Sequence, residues 1–171
     1  MKRLATKRDL PFITKLIREG AKNHHFDTNL LNPFEWFLYK IRLRLMISKG
    51  FDHHYHRKAE KYISRKMGVF VWMDQGLPVG FSIIAGDVKG YFYKEILMVS
   101  ISPEHQGKGF GRKIIETHLS ESKARGEMLT ARCHPESKIM HNILIKKGFR
   151  CKVDESGLRH LWNRYPVHNG I

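Results

Sequence analysis

Residues 95–116, with the sequence EILMVSISPEHQGKGFGRKIIE, carry the pattern that decides the fold. The apolar run 96–101 contains three β-branched residues and predicts a buried strand. Pro103 ends this strand, and the glycine-rich segment 106–111 opens an amphipathic helix. Three glycines in five residues let several backbone N–H groups converge, and the positive end of the helix dipole adds to their field. The segment therefore predicts an anion site, most often one for phosphate.

The familiar nucleotide motifs do not account for this turn. Gly107 and Gly109 begin a G-x-G-x-x-G dinucleotide pattern, but Arg112 stands at the position of its third glycine. The sequence also lacks a G-x-x-x-x-G-K-[ST] phosphate loop. An ordinary glycine turn without a ligand is the alternative interpretation of the turn alone.

The turn resembles the acetyl-CoA signature [QR]-x-x-G-x-[GA] of the GNAT acetyltransferase superfamily, which Gln106, Gly109 and Gly111 match. Two further segments resemble that family. Residues 3–11 are similar to its first strand and helix, and 147–149 (Lys-Gly-Phe) are similar to its K-x-G-F junction. The resemblance implies an α/β fold with a mixed, mostly antiparallel central sheet, flanked by helices and containing a splayed pair of central strands.

The resemblance also implies acetyl-CoA as the co-substrate and a set of positions that hold it. The turn would bind the pyrophosphate through its backbone amides, and side chains at Gly109 or Gly111 are expected to demand unfavourable backbone angles. The strand before the turn would offer backbone groups to the pantetheine arm. The cofactor-binding positions are Val99, Ile101, Gln106, Gly107, Lys108, Gly109, Phe110, Gly111, Arg112 and Ser137.

Acetyl transfer to an amine requires removal of a proton from the ammonium form, so a general base is expected. Glu95 stands 11 residues before Gln106, a register that resembles the general base of the histone-acetylating branch of the family. Its alternative role is an ion pair with a surface Lys or Arg. Many family members have a tyrosine at the position of Leu144, where it acts as the general acid that protonates the thiolate of CoA. In this chain His141 and Ser137 are the nearest substitutes.

Charge is the unusual feature of the composition. The 171 residues carry a formal net charge of +15, and residues 1–66 hold 16 basic and 6 acidic residues. An excess of this size favours an anionic partner such as nucleic acid, a ribosome, an acidic protein or anionic lipid, although cationic solubility alone is the simpler interpretation. In the family the first two helices border the acceptor groove, and their charge disfavours polyamines and aminoglycosides as acceptors.

The predicted function is therefore N-acetyl transfer from acetyl-CoA to a primary amine on an anionic macromolecule, namely RNA, a ribosome or a protein. The alternative is a nucleic-acid-binding or nucleic-acid-modifying protein that keeps the fold but has altered or lost acetylation activity. The missing tyrosine favours the alternative, and the complete turn motif argues against it.

A pass along the chain predicts one acetyltransferase domain over 1–171, with an acceptor-side part over 1–66 and a coenzyme-binding core over 67–171. Helices are expected to about residue 21 and over 33–48, the second with a core-facing stripe of Phe34, Phe37, Leu38, Ile41 and Leu45. Residues 52–56 (DHHYH) are expected to form a solvated loop without a metal, and 58–66 a short basic helix.

The remaining segments predict a hairpin over 68–85, a turn at 87–90, a strand from Tyr91, a strand over 128–133, a helix over 136–147 and a closing hairpin over 149–162. Two cysteines with no C-x-x-C spacing, no secretory leader and no membrane span predict a cytoplasmic protein with thiols and no disulfide. Edge-strand dimers are common among such folds, which leaves a homodimer open.

Overall fold

The computed structural model of the chain describes residues 1–56, 61–86 and 93–163. Four helices form in these ranges: α1 (Leu10–Lys22), α2 (Pro33–Lys49), α3 (Phe110–Ala124) and α4 (Lys138–Lys146). The strands described are β1 (Lys2–Leu4), β2 (Phe51–His56), β3 (Lys61–Asp74), β4 (Leu77–Gly86), β5 (Tyr93–Ile101), β6 (Met128–Cys133), β7 (Arg150–Val153) and β8 (Arg159–Asn163).

The strands form one mixed sheet in the order β1-β3-β4-β5-β6-β8-β7, and β2 pairs with the first half of β3. The β5–β6 pair is parallel, and the other strand pairs described are antiparallel. Helices α1 and α2 cover one face of the sheet, and α3 and α4 cover the other. This architecture confirms the predicted mostly antiparallel α/β fold.

Capping side chains and a terminal glycine fix the ends of the two N-terminal helices. The Thr6 amide donates to Asp9 Oδ2 over 2.7 Å, which completes the capping box before α1. Asn32 Oδ1 accepts a hydrogen bond of 2.9 Å from the Phe34 amide at the start of α2. Gly50 ends α2 with a φ of 69°. These local contacts explain why the helix boundaries could be predicted closely.

The predicted core-facing side of α2 is wrong. The side that packs on the sheet carries Trp36, Leu43 and Met46, which are 9% exposed or less. The predicted stripe lies on the opposite side and faces solvent, with exposures from 39% at Leu38 to 67% at Phe34. Because α2 is apolar on two opposite sides, its sequence does not decide which side faces the core.

The interpretation of 52–66 as a loop and a basic helix is also wrong. Residues 51–56 form β2, which pairs with 61–66 of β3 in an antiparallel ladder. Asp52 is buried there and forms an ion pair with Arg42 of α2. In the described residues no group of three or more His, Cys, Asp or Glu side chains could hold a metal ion.

Some predictions fall on residues that the structure does not describe. The turn at 87–90 and Tyr91 lie outside the described residues, as do Arg57 and Lys58. No helix in the described ranges is long and apolar enough to cross a membrane.

Candidate active site

A gap in the sheet between β5 and β6 organises the site. The two strands pair in parallel from Tyr93 with Met128 to Ile96 with Ala131. Beyond these pairs β5 continues to Ile101 along β4, while β6 continues to Cys133 along β8. The two strands therefore diverge, as the predicted splayed pair requires, and one edge of β5 is left open.

The backbone direction of β5 shows which of its amides face this gap. The amide of Ser102 donates to Val79 O of β4 over 2.9 Å. Successive amides of a strand point to alternate edges, so the amide of Ser100 also points to β4. The amides of Val99 and Ile101 therefore point into the gap. They are the two positions predicted to offer backbone groups to the pantetheine arm.

The glycine turn lies at the open end of the gap. Gly107 and Gly109 have φ values of 75° and 82°, which glycine adopts without strain, and a Cβ at either would meet no atom within 4 Å. Gly109 is the N-cap of α3, and no side chain caps the helix there. The first amides of a helix have no partner within it, so those of 110–112 are free to bind an anion.

Gly111 differs from the two other glycines of the turn. Its φ is not positive, and it lies within the first turn of α3. A Cβ added there would lie 3.6 Å from Ile143 Cδ1, which is an ordinary contact distance. The expected backbone strain at Gly111 is therefore wrong, whereas the expectation at Gly109 agrees with its φ.

A cavity of about 820 Å³ joins the turn, the gap and the helices on both faces of the sheet. The predicted coenzyme positions that line it are Val99, Ile101, Gln106, Gly107, Gly109, Phe110, Gly111, Arg112 and Ser137. Lys108, Glu95 and His141 are not among its lining residues. The structure thus brings together nine of the twelve residues that the sequence singled out.

The inner wall of the cavity contains polar residues that the sequence reasoning did not assign to the site. Arg42 Nε and Nη2 donate to the two oxygens of Asp52 over 3.0 and 2.6 Å. The hydroxyl of Tyr39 lies 3.4 Å from Met98 Sδ, and burial raises the pKa of this phenol above its ordinary value. These three residues come from α2 and β2, the two elements whose orientation or type was mispredicted.

Glu95 lies on β5 in the paired segment, before the strands diverge. Its Oε1 accepts a hydrogen bond of 2.7 Å from Arg132 Nε, and its Oε2 lies 2.9 Å from Arg65 Nη2. The carboxylate is 12% exposed. Since Arg132 does line the cavity, Glu95 contacts the site through this arginine.

Helix α4 contributes the other wall of the gap. Leu144 is buried and lines the cavity at the position where many relatives have tyrosine. Ser137 precedes the helix, and its Oγ lies 3.4 Å from Nδ1 of His25, in the segment that follows α1. Cys133 also lines the cavity, and burial raises the pKa of its thiol to about 11, so it stays protonated.

Comparison with protein families shows the family of the chain. The model of the acetyltransferase (GNAT) family matches residues 36–149, which include the gap, the turn and both flanking helices. The chain belongs to the GNAT family. It is thus an acetyltransferase that uses acetyl-CoA. A search of curated proteins finds no match to its sequence.

Solved structures of several GNAT enzymes are similar to this chain. An acetyltransferase of Salmonella typhimurium with its cofactor acetyl-CoA is 18% identical, with a TM-score of 0.66 and coverage of 100% of this chain and 96% of that one. The ribosomal-protein-alanine N-acetyltransferase of Brucella melitensis is 19% identical, with a TM-score of 0.59 and coverage of 95% and 96%.

A spermidine N-acetyltransferase of Vibrio cholerae, in complex with CoA and spermine, is 17% identical to this chain. Its TM-score is 0.63, and the match covers 95% of this chain and 94% of that one. At these identities the GNAT structures show a shared fold and leave the acceptor of this chain open.

Proposed function

We propose that this GNAT enzyme transfers the acetyl group of acetyl-CoA to a primary amine on an anionic macromolecule, namely RNA, a ribosome or a protein. The observation that carries the proposal is the cavity, because it runs from an uncapped helix N-terminus through the strand gap to the cationic layer of α1 and α2. One end of it fits a phosphorylated donor, and the other opens beside the helices that would meet the acceptor.

The residues of the cavity fit acetyl-CoA. The space beside Gly107 and Gly109 and the free amides of α3 suit a pyrophosphate, with the guanidinium of Arg112 nearby on the cavity wall. The open edge of β5 suits an extended chain with amide groups, since Val99 and Ile101 direct their backbone amides into the gap. The carbonyl oxygen of Ile101 already accepts a hydrogen bond of 3.1 Å from Gln106 Nε2. When bound, acetyl-CoA supplies an acetyl group activated as a thioester.

The removal of the amine proton is assigned to Glu95 as a proposal. The carboxylate already holds two guanidinium groups, so it would have to exchange one of them for the ammonium group or for a bridging water. A second role fits the same contacts: Glu95 fixes Arg132 at the cavity wall. The two roles predict different pH dependence, which makes them separable by experiment.

The leaving thiolate would be protonated by solvent or by a side chain near α4. Leu144 has no proton to give, and His141 is not a lining residue, so Ser137 is the predicted substitute that the cavity reaches. A thiolate is a good leaving group near neutral pH, which reduces the need for a dedicated acid.

The charge around the acceptor end supports an anionic acceptor. Asp52 at the inner wall is neutralised by Arg42. The exposed or partly exposed cations of the two helices outnumber their acids, and they are Lys15, Arg18, Lys22, Lys40, Arg44 and Lys49. A polyamine would meet this surface with like charge. A protein or RNA with negative charge around its amine would be attracted to it.

A nucleic-acid-modifying member of the family with altered acetylation activity is the second candidate, because Leu144 stands where the resemblance implies a tyrosine. The two candidates differ in one measurement. A thiol reagent detects the CoA that is released from acetyl-CoA in the presence of an acceptor. This release requires turnover, whereas RNA binding alone does not. Tight binding of RNA with slow CoA release for every acceptor in the panel would favour the second candidate.

The acceptor is tested with a panel of amines and a pair of charge variants. Aminoacyl-tRNA, ribosomes, an acidic N-terminal peptide and spermidine are each supplied with radiolabelled acetyl-CoA over a range of salt concentrations. We expect labelling of a macromolecular acceptor that weakens steeply with salt. Lys40→Glu with Arg44→Glu should raise the acceptor KM and flatten the salt dependence, while the affinity for acetyl-CoA stays the same.

Arg150→Glu with Lys152→Glu is the matched control, since both cations are exposed on β7 at the far edge of the sheet. This variant removes the same charge and should keep the acceptor KM of the original protein. The proposal of an anionic acceptor would be overturned if spermidine were acetylated rapidly and independently of salt. The rate would then be the same in the original protein and in the variant with Lys40 and Arg44 reversed.

A further inference from the structure

The outward side of α2 is an apolar surface that the enzymatic function does not use. We call it the α2 ridge and define it by five residues spaced as one side of a helix, which are Phe34 (67% exposed), Phe37 (56%), Leu38 (39%), Ile41 (39%) and Leu45 (42%). Leu31 and Phe51 extend it at the two ends, with exposures of 36% and 37%.

The size of the α2 ridge separates it from ordinary surface apolar residues. Together the seven side chains expose on the order of 600 Å² of apolar surface, which is at the upper end of what monomeric proteins show. The opposite side of the same helix is fully occupied by the core through Trp36, Leu43 and Met46. A different rotation of α2 would therefore expose core residues instead, so the ridge cannot be buried by turning the helix.

Cations border the α2 ridge on both sides. At 100° per residue, Lys40 and Arg44 lie on one flank and Lys49 lies on the other. Glu35 is the one acidic residue of α2 and lies in its first turn. Helix α1 adds further positive charge on the first flank, where the guanidinium of Arg18 lies 5.6 Å from the ring centroid of Trp36.

A second copy of the chain fits this arrangement poorly. A twofold axis that packs two ridges together in antiparallel fashion places each flank against the same flank of the copy. Lys40 and Arg44 of one copy would then face Lys40 and Arg44 of the other, which brings four like charges together in a complex of two chains that each carry +15. RNA fits the cations, and its unpaired bases can stack on the exposed phenylalanines, but it leaves the aliphatic Leu38, Ile41 and Leu45 without a role.

An anionic lipid bilayer fits both properties at once. The outer side of a single helix is convex, and a bilayer accepts a convex apolar surface without a complementary groove. Lysine and arginine at its borders reach the phosphate headgroups while their stems stay beside the apolar side chains. We propose that α2 docks the protein on anionic phospholipid membranes, lying in the interface with the α2 ridge inserted.

The proposal goes beyond the acetyltransferase function and does not depend on it. The cations of the first flank would serve either a membrane or an anionic acceptor, so they do not discriminate between the two. The apolar residues do discriminate, because a phosphate backbone has no need of them. Phe37 and Ile41 are the residues to change, since both are exposed and neither lines the cavity.

The test is flotation of the full-length protein with vesicles of phosphatidylglycerol and phosphatidylcholine in equal amounts, and with phosphatidylcholine alone. We expect binding to the anionic vesicles only. Phe37→Ser with Ile41→Ser should weaken that binding on the order of tenfold or more. Leu77→Ser with Val153→Ser is the control, because both residues are more than half exposed elsewhere, and it should bind like the original protein.

Three results would overturn the proposal. If the Phe37 and Ile41 variant bound anionic vesicles as tightly as the original protein, charge alone would account for the binding. Absence of binding to anionic vesicles would leave the ridge to a protein partner. A dimer in sedimentation that this variant converts to a monomer would assign the ridge to a second copy. Acetyl-CoA affinity of every variant, measured by calorimetry, reports separately on the fold and the proposed function.

Discussion

Glu95 is the residue on which the proposed proton transfer depends, and two guanidinium groups hold it at the base of the strand gap. The carboxylate is therefore able either to accept the amine proton or to fix Arg132 at the cavity wall. Replacement by glutamine separates these roles, because the amide keeps the size and one hydrogen-bonding oxygen but cannot take up a proton.

For a general base, Glu95→Gln should lower kcat/KM at neutral pH on the order of 10²-fold or more and remove the acidic limb of the pH–rate profile, in which the rate rises as the base loses its proton. The affinity for acetyl-CoA should stay the same. Arg132→Lys keeps the base but alters its neighbour and is the companion variant. If Glu95→Gln leaves the shape of the pH profile unchanged, Glu95 positions Arg132 and the proton leaves by another route.

His118 is a buried residue away from the active site that makes stability depend on pH. Its Nε2 lies 2.9 Å from Ser82 Oγ, which also accepts a hydrogen bond from Trp72 Nε1. Burial and the nearby Lys2 ammonium lower the pKa of His118 to about 4, against the opposing effect of Glu121. The imidazole is therefore neutral in the folded protein near neutral pH.

The unfolded chain takes up a proton at this histidine below its ordinary pKa of 6.5, and the folded chain does so only near 4. The free energy of unfolding should thus fall by roughly 3 kcal/mol as the pH falls from 7 to 4. Urea unfolding at pH 7 and at pH 5 measures the free energy of unfolding. In His118→Gln, the part of its decrease that comes from His118 should be absent. His53→Gln, an exposed control, should keep it, and an unchanged pH dependence in His118→Gln would contradict the account.

At the scale of elements, the turn before α3 shows how a backbone conformation creates a binding site. Gly109 needs a φ of 82° and lines the cavity beside the free amides. A valine there is strained and places its methyl groups where the phosphate would bind. Loss of even one charge-assisted hydrogen bond to those amides costs roughly tenfold or more in affinity.

Gly109→Val should therefore lose most of its acetyl-CoA affinity in calorimetry while it still folds. Gly126→Val is a matched control at the other end of α3, because Gly126 also has a positive φ of 66° and no atom within 4 Å of its Cβ position. Both variants should lose a similar amount of thermal stability. Wild-type acetyl-CoA affinity in Gly109→Val would move the phosphate site elsewhere.

Local signals predicted these elements well where a side chain or glycine fixes the backbone, as at Asn32, Gly50 and Gln75–Gly76, whose φ values of 46° and 81° make the β3–β4 turn. They failed for the orientation of α2, since two apolar sides satisfy the same helical spacing. They also failed for β2, because its charged and histidine-rich sequence is stabilised by pairing with β3, a contact that no local pattern contains.

At the scale of the whole molecule, the family motif explains why most of the residues predicted to bind the coenzyme line one cavity. The turn and β5 are adjacent in sequence, so their residues stay together in any fold that keeps the strand and helix. The other end of the cavity, where we propose that the acceptor binds, is lined by residues of α1, α2, β2 and β5. Tyr39, Arg42 and Asp52 meet there only in the folded chain. Local sequence patterns therefore could not predict that these three residues lie together.

The divergence of β5 from β6 has a consequence for the sheet as a body. In the part of the chain that the structure describes, backbone pairing across this seam is limited to the four pairs from Tyr93 with Met128 to Ile96 with Ala131. A bound pantetheine arm would occupy the place of an absent strand and extend the seam toward the turn. Acetyl-CoA would then stiffen the sheet when it binds, and the release of CoA would loosen the sheet again. Each catalytic cycle would thus change the rigidity of the sheet that carries the active site.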